Sequence, residues 1–227
     1  MVVVSPGDFV EIEFTGRDAA GHVFDTTSAD EARKAGIFNS RAKYGPVLVV
    51  AGKNLLLKGL DEALEGAREG EEKQVVVPKE KAFGERKADL VRLIPLARFR
   101  EQGIEPAPGM PFELDGARAR VQSVTGGRVR VDFNHELAGQ DLSYSLKVVK
   151  CFKTPQEKIV ALAKETMGVK DASVKDGVAT VKVGVDLKKD SEFLAGKLRF
   201  IDYALRFVDG VNQVVFNEAY ALPEKRV

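Results

Sequence analysis

Tryptophan is absent from the 227 residues, cysteine occurs once and histidine twice. The single thiol, Cys151, excludes an internal disulfide and fits a reducing compartment. Neither His22 nor His135 has cysteines or a carboxylate cluster beside it at metal-ligand spacing, so neither a metal nor another cofactor is expected. A glycine-rich phosphate loop, a nucleophile elbow and a Ser-His-Asp pattern are all missing, which removes the basis for a kinase, hydrolase or metalloenzyme. An excess of charge is missing too. With 35 Lys+Arg against 34 Asp+Glu the net charge is +1, giving no electrostatic ground for binding nucleic acid or an anionic membrane. No apolar run reaches the length of a membrane helix, and Met1-Val2-Val3-Val4 is too short for a signal sequence, so a soluble, cytoplasmic protein is expected.

What is present is alternation and short amphipathic stretches. Gly7 to Thr15 sets Phe9, Ile12 and Phe14 against Asp8, Glu11, Glu13 and Thr15, a half-buried strand with an irregularity near Val10. Gly16 to Gly21 reads as a turn, and His22 to Thr27 as extended again. Residues 28 to 46 read as an irregular loop with a helical turn over Asp30 to Ala35. The densest signal is Val47 to Ala67. An apolar run ends at Gly52, Asn54 suits an N-cap, and a helix is expected from Leu55. Leu56, Leu57, Leu60, Ala63 and Leu64 share one face of it, Lys58, Asp61, Glu62 and Glu65 lie outside that face, and Gly66 suits its left-handed end. Lys73 to Pro78 is a strand stopped by proline.

The texture changes near residue 86. Residues 86–133 carry Leu90, Val91, Ile94 and Met110, then alternating segments at Arg118–Ser123 and Arg128–Phe133 around a hairpin turn at Thr125-Gly126-Gly127. An amphipathic strand at Leu142–Cys151 returns to the first texture, so 86–133 reads as an insertion between segments that rejoin in one sheet. The last third is separate, with Thr154-Pro155-Gln156-Glu157 as a capping box. The helix it opens ends at Gly168, and a hairpin turns at Asp176-Gly177. A second helix over Glu192–Val208 carries Leu194, Leu198, Ile201, Leu205 and Val208, and a strand follows over Val211–Tyr220. The order αββαβ suggests a small α+β sandwich, and the chain as a whole reads as α+β.

Three motifs together carry a resemblance. Val23-Phe24-Asp25-Thr26-Thr27, Gly52 to Leu64, and Val77-Pro78 followed by Ala82-Phe83-Gly84 resemble the FKBP-type peptidyl-prolyl isomerases. Asn134 to Tyr144 is similar to the return segment of the SlyD-like branch, which carries an inserted chaperone domain. The resemblance covers roughly residues 7 to 152, and the C-terminal third resembles the long archaeal members, in which such a domain can pair two chains. It implies an FKBP-type antiparallel sheet wrapped on a short helix (1–85 plus 134–152), an inserted mainly-β flap domain (86–133) and a C-terminal αββαβ sandwich (153–227). It also implies a proline pocket walled by Phe14, Phe24, Val49, Leu56, Leu57, Phe83, Leu137 and Tyr144, with Leu60 as its floor and Asp25 at its rim. Asp25, Phe83 and Tyr144 are then the catalytic positions, and Leu90, Val91, Ile94 and Met110 the chaperone surface. The expected partners are unfolded or proline-containing polypeptides and a second copy of the chain.

Two positions depart from the family pattern. The floor, often tryptophan, is Leu60, and the loop aromatic, usually tyrosine, is Phe83. Phe83 cannot donate a hydrogen bond to a substrate carbonyl, a loss worth about 0.5–1.5 kcal/mol. That predicts weaker catalysis, and leaves as the alternative a holdase whose pocket is weak or vestigial. The missing nucleophiles fit isomerisation, because the barrier to turning an X-Pro bond, about 18–20 kcal/mol, comes from amide resonance. An apolar pocket disfavours the charge-separated planar amide and so favours the twisted one.

Overall fold

The computed structural model describes residues 2–114, 116–184 and 190–220. In chain order the elements are β1 (Phe9–Arg17), β2 (Val23–Thr26), α1 (Ala29–Lys34), β3 (Val47–Val50), α2 (Lys58–Leu64), β4 (Glu72–Val77), β5 (Val91–Pro95), α3 (Leu96–Glu101), β6 (Pro111–Leu114), β7 (Ala117–Thr125) and β8 (Arg128–Asp132). There follow β9 (Leu142–Phe152), α4 (Pro155–Met167), β10 (Ala172–Lys175), β11 (Val178–Val183), α5 (Ser191–Phe207) and β12 (Gln213–Glu218). They form two compact units. One takes the segments up to Arg17, Gly21–Val76 and from Ser143 onward; the other takes Asp18–Ala20 and Val77–Leu142.

The first unit is built on β1, whose one edge is shared by β2 and β3 and whose other edge pairs antiparallel with β9, itself bonded to β4. The irregularity expected near Val10 is a bulge between Glu11 and Ile12 against β9. The turn expected over Gly16 to Gly21 starts later, with Ala19 and Ala20 at its centre, because β1 continues through Gly16 and Arg17. The helical turn in the long loop is α1, capped by the Ser28 hydroxyl, which accepts from the Glu31 amide at 3.3 Å.

Local chemistry dictates the C-terminal segment. Thr154 and Glu157 form the reciprocal capping box with Pro155 at the first turn, and Gly168, at φ 70°, ends α4. Asp176 and Gly177, both at positive φ, turn β10 into β11, and α5 carries the chain across to β12, parallel to β11. The apolar residues of α4 and α5, including Ile159, Leu162 and Phe200, join Phe9, Val50 and Phe152 in one cluster. A polar seam accompanies it. The Asp8 carboxylate accepts from the Ser5 amide and the Lys153 ammonium and faces the Cys151 thiol, while Lys158 Nζ donates to the Gly7 carbonyl. Burial, with the Asp8 charge beside it, pushes the Cys151 thiol up to about 11.

α5 buries a different face from the one its leucines suggest. Phe193, Gly196, Phe200 and Ala204 are buried, whereas Leu194, Leu198 and Leu205 are 54%, 70% and 44% exposed. Gly196 decides this, because it is where α5 crosses against the Thr166 carbonyl of α4.

In the second unit, β5-β8-β7-β6 form an antiparallel sheet, turned at Gly126 and Gly127, both at positive φ. Its core is Phe99, Ala119, Val121, Val129 and Val131.

Candidate functional site

Three strands place a row of residues side by side. Gly16 of β1 lies opposite Asp25 of β2 on one side and Tyr144 of β9 on the other. Gly16 has no side chain to fill the space above it, and two rings take that space. A Cβ built there would stand 2.7 Å from Tyr144 Cε1 and 2.8 Å from Phe24 Cζ. Tyr144 meets Phe24 edge-on at 5.8 Å between centroids and Phe14 at 6.0 Å with the rings tilted, both within the range of favourable aromatic pairs. The Phe14 backbone is tied down in turn, its amide donating to Thr27 Oγ1 at 2.9 Å and its carbonyl accepting from the Thr27 amide at 3.0 Å. Thr26 and Thr27, buried and hydrogen-bonded, are therefore supports that the alternation did not reveal.

The polar groups here are tuned by the rings. Asp25 as a residue is exposed, yet crowding raises its carboxyl pKa; a bond from the Thr26 amide opposes the rise. Burial first, and the Asp25 charge second, push the Tyr144 phenol up to about 12. Tyr144 is thus protonated throughout the neutral range and available as a donor.

Leu60, 2% exposed, sits in the first turn of α2, but the helix starts three residues later than expected. Asn54 is not its N-cap. The cause is Asp61, read from the sequence as outward-facing and in fact 4% exposed. Its carboxylate accepts from the Gly52 amide at 2.9 Å and the Asn54 amide at 2.7 Å, which curls residues 52–57 around it with Gly52 and Asn54 at positive φ. Leu56 and Leu57, half-buried, ride on this loop rather than on a helix, and Val49 is buried in β3. Asp61→Ala orphans two amides held by a charged acceptor, so it is expected to lower stability by about 2–4 kcal/mol. A urea unfolding midpoint equal to the parent's would refute this role.

Phe83 and Leu137 belong to the second unit. The Phe83 ring stacks on the His135 imidazole, centroids 4.0 Å apart and planes 5° from parallel, and His135 Nδ1 accepts from the Leu137 amide at 3.2 Å. Leu90 and Val91 are half-buried, while Ile94 and Met110 pack against the core of this unit; the exposed apolar residue of β5 is Leu93, at 61%. A cavity of about 320 Å³ is lined by Leu96, Arg100, Ile104, Pro106 and Val124. A larger one in the first unit, about 550 Å³, is mostly polar, with Glu13, Glu72, Lys147 and Tyr44, and shares only Phe14 with the expected pocket. Among the described residues no three His, Cys, Asp or Glu side chains gather as metal ligands, and no helix is long and apolar enough to cross a membrane.

Comparison with known proteins gives the family of the chain. Residues 2–97 match the family model of the FKBP-type peptidyl-prolyl cis-trans isomerase, and residues 92–137 match that of the FKBP26, IF domain. The short-type peptidyl-prolyl cis-trans isomerase of Methanocaldococcus jannaschii is 35% identical over 146 residues, which are 64% of this chain and 92% of that protein. The chain belongs to the FKBP-type peptidyl-prolyl cis-trans isomerases. SlyD-named isomerases are similar as well, that of Treponema pallidum at 29% identity over 67% of this chain and 81% of its own, and that of Helicobacter pylori at 28% over 58% and 74%.

Proposed function

We propose that this isomerase turns prolyl bonds at the Phe14–Phe24–Tyr144 cluster, with Asp25 at its rim and Leu60 beneath it, and that its inserted segment holds unfolded clients. The observation that carries the first part is the buried Tyr144 set against the Phe14 and Phe24 rings. A twisted prolyl amide loses the charge separation of the planar form and is favoured in such surroundings, while a phenol donor suits its carbonyl. Tyr144 thereby supplies a donor where Phe83 has none. Val49, Leu56, Leu57, Phe83 and Leu137 keep the substrate-contact role that the resemblance gives them.

The match over residues 92–137, the exposed Leu93 and the partly apolar cavity at Leu96, Ile104 and Val124 support client binding by the insertion, and Leu90 and Val91 keep the client-contact role that the resemblance gives them. The lone buried thiol fits a cytoplasmic protein. Deleting residues 88–131, which keeps Arg86, Lys87, Asp132 and Asn134, is expected to spare turnover of a short prolyl peptide and to slow catalysed refolding of a proline-limited protein at least about tenfold, because tethering no longer raises the local concentration of client. No acceleration above background by the intact protein with either substrate leaves only the holdase reading.

The C-terminal segment is proposed to pair two chains. Leu194, Leu198, Ile201 and Leu205 recur at i, i+4, i+7 and i+11 on the outer face of α5, a stripe suited to a copy of itself. Light scattering should give a dimer that Leu198→Glu converts to a monomer; a monomeric parent at micromolar concentration ends the proposal.

A further inference from the structure

We propose that Asp132 is a positioning residue of the isomerase, a buried clasp that sets the loops bearing Phe83 and His135–Leu137. The inference rests on the reading that Phe83 and Leu137 contact substrate.

The chain enters the inserted segment through residues 86–87 and leaves it through 132–134, and one carboxylate holds both passages. The Asp132 side chain is 1% exposed. Its Oδ2 accepts from Arg86 Nε at 2.7 Å, from Arg86 Nη2, and from Gln122 Nε2 at 2.7 Å. Its Oδ1 accepts from the Asn134 amide and from Asn134 Nδ2, each at 2.8 Å. Asn134 then binds the entering passage through its side chain, its Oδ1 taking the Lys87 amide at 2.9 Å and its Nδ2 donating to the Lys87 carbonyl at 3.0 Å. Burial disfavours the Asp132 charge, but the bonds from Asn134 and Arg86 outweigh it and hold the carboxyl below its ordinary range.

Beyond the clasp the same two passages touch once more before they reach the rings. The Gly139 amide donates to the Gly84 carbonyl at 2.7 Å, and a Cβ on Gly139 would stand 3.2 Å from Arg86 Cβ. Phe83 and His135 then stack face to face, and His135 takes the Leu137 amide. A path of short contacts thus runs from Asp132 through Arg86 and Gly84/Gly139 to Phe83, and from Asp132 through Asn134 to His135 and Leu137. A carboxylate satisfied by five donors at the crossing of two connections fixes their register, and loosening it releases both loops together. Ordinary core burial would need no charge here; an apolar side chain would fill the space while holding neither passage.

The test uses the full chain. Asp132→Asn keeps the shape but presents an amide to donors, and it is expected to lower kcat/KM for a short prolyl peptide at least about tenfold. In the same variant the His135 ring proton shifts, set by the stacked Phe83, should move toward those of a free imidazole, while amide shifts within β6, on the far side of β7 from β8, stay in place. Arg86→Gln removes donors from the exposed side and is expected to give the same changes at smaller size; it serves should Asp132→Asn fail to fold. Tyr144→Ala runs alongside. Folded Asp132→Asn, or Arg86→Gln in its place, with unchanged turnover and His135 shifts overturns the inference, provided Tyr144→Ala abolishes turnover. If Tyr144→Ala is also without effect, the assignment of the pocket fails instead. A fall in turnover without any His135 shift overturns the proposed path.

Discussion

Replacing Gly16 with alanine is expected to remove most prolyl turnover from a chain that still folds. The added Cβ would lie 2.7 and 2.8 Å from ring carbons of Tyr144 and Phe24, distances no packed carbon adopts. Something must move, and the backbone is the less mobile choice. β1 is paired at this point to β2 and β9 at once, and two bonds to Thr27 tie down Phe14 just before it. The rings are planar and stiff, so they swing as wholes away from the row they define. Overpacking of this kind costs about 1–3 kcal/mol, partly offset by alanine's advantage over glycine of roughly 0.5–1 kcal/mol. Displacing the two aromatic walls by even about 1 Å is enough for a loss near a hundredfold in kcat/KM. A peptide turnover assay beside a thermal melt reads both quantities. Parental kcat/KM in a folded Gly16→Ala would show that these rings do not shape the transition state.

The second large effect concerns stability. In an exposed helix, Gly to Ala gains about 1 kcal/mol. At Gly196 the sign reverses, because the Cβ would stand 2.0 Å from the Thr166 carbonyl oxygen and 2.9 Å from its carbon. Both atoms are backbone of α4 and cannot rotate aside. α5 must lift from α4, which opens contacts around Phe193, Phe200 and Met167 in the shared cluster. Gly196→Ala is therefore expected to destabilise by about 3 kcal/mol or more, among the larger single-residue effects. Denaturant unfolding of this variant against Ala195→Gly, whose position faces solvent, separates crowding from helix propensity. A rise in midpoint for Gly196→Ala would mean that the helices do not cross there.

These two glycines mark where reading the chain alone reached its limit. The capping box at Thr154, the left-handed Gly168 and the turns at Asp176-Gly177 and Gly126-Gly127 were legible because each is settled within a few residues. α5 was not, since it carries two apolar stripes. Periodicity ranks Leu194, Leu198, Ile201 and Leu205 above Phe193, Phe200 and Ala204, and only the close approach at Gly196 reverses the order. Gly16 looked like the start of a turn, although a glycine inside a strand can equally mark the approach of another group. Asn54 looked like a cap because the acceptor that shapes its loop, Asp61, comes seven residues later and was assigned to solvent. The members of the proposed pocket come from the motifs of a resemblance, and motifs name positions without their supports. Thr27, Asp61 and Gly16 are supports.

Phe9 and Gly16 share a strand, and the two ends of β1 serve different neighbours. Phe9, fully buried, is roofed by the same cluster as Ile159 and Phe200, while seven residues on Gly16 lies beneath Tyr144. A chain cut after Phe152 would leave Phe9, Val50 and Phe152 wet along β1 and its partners, a sticky face on the sheet that carries the aromatic row. The helices that follow Phe152 are in that sense a built-in detergent for this sheet, and trimming them trades a shorter protein for one prone to clump.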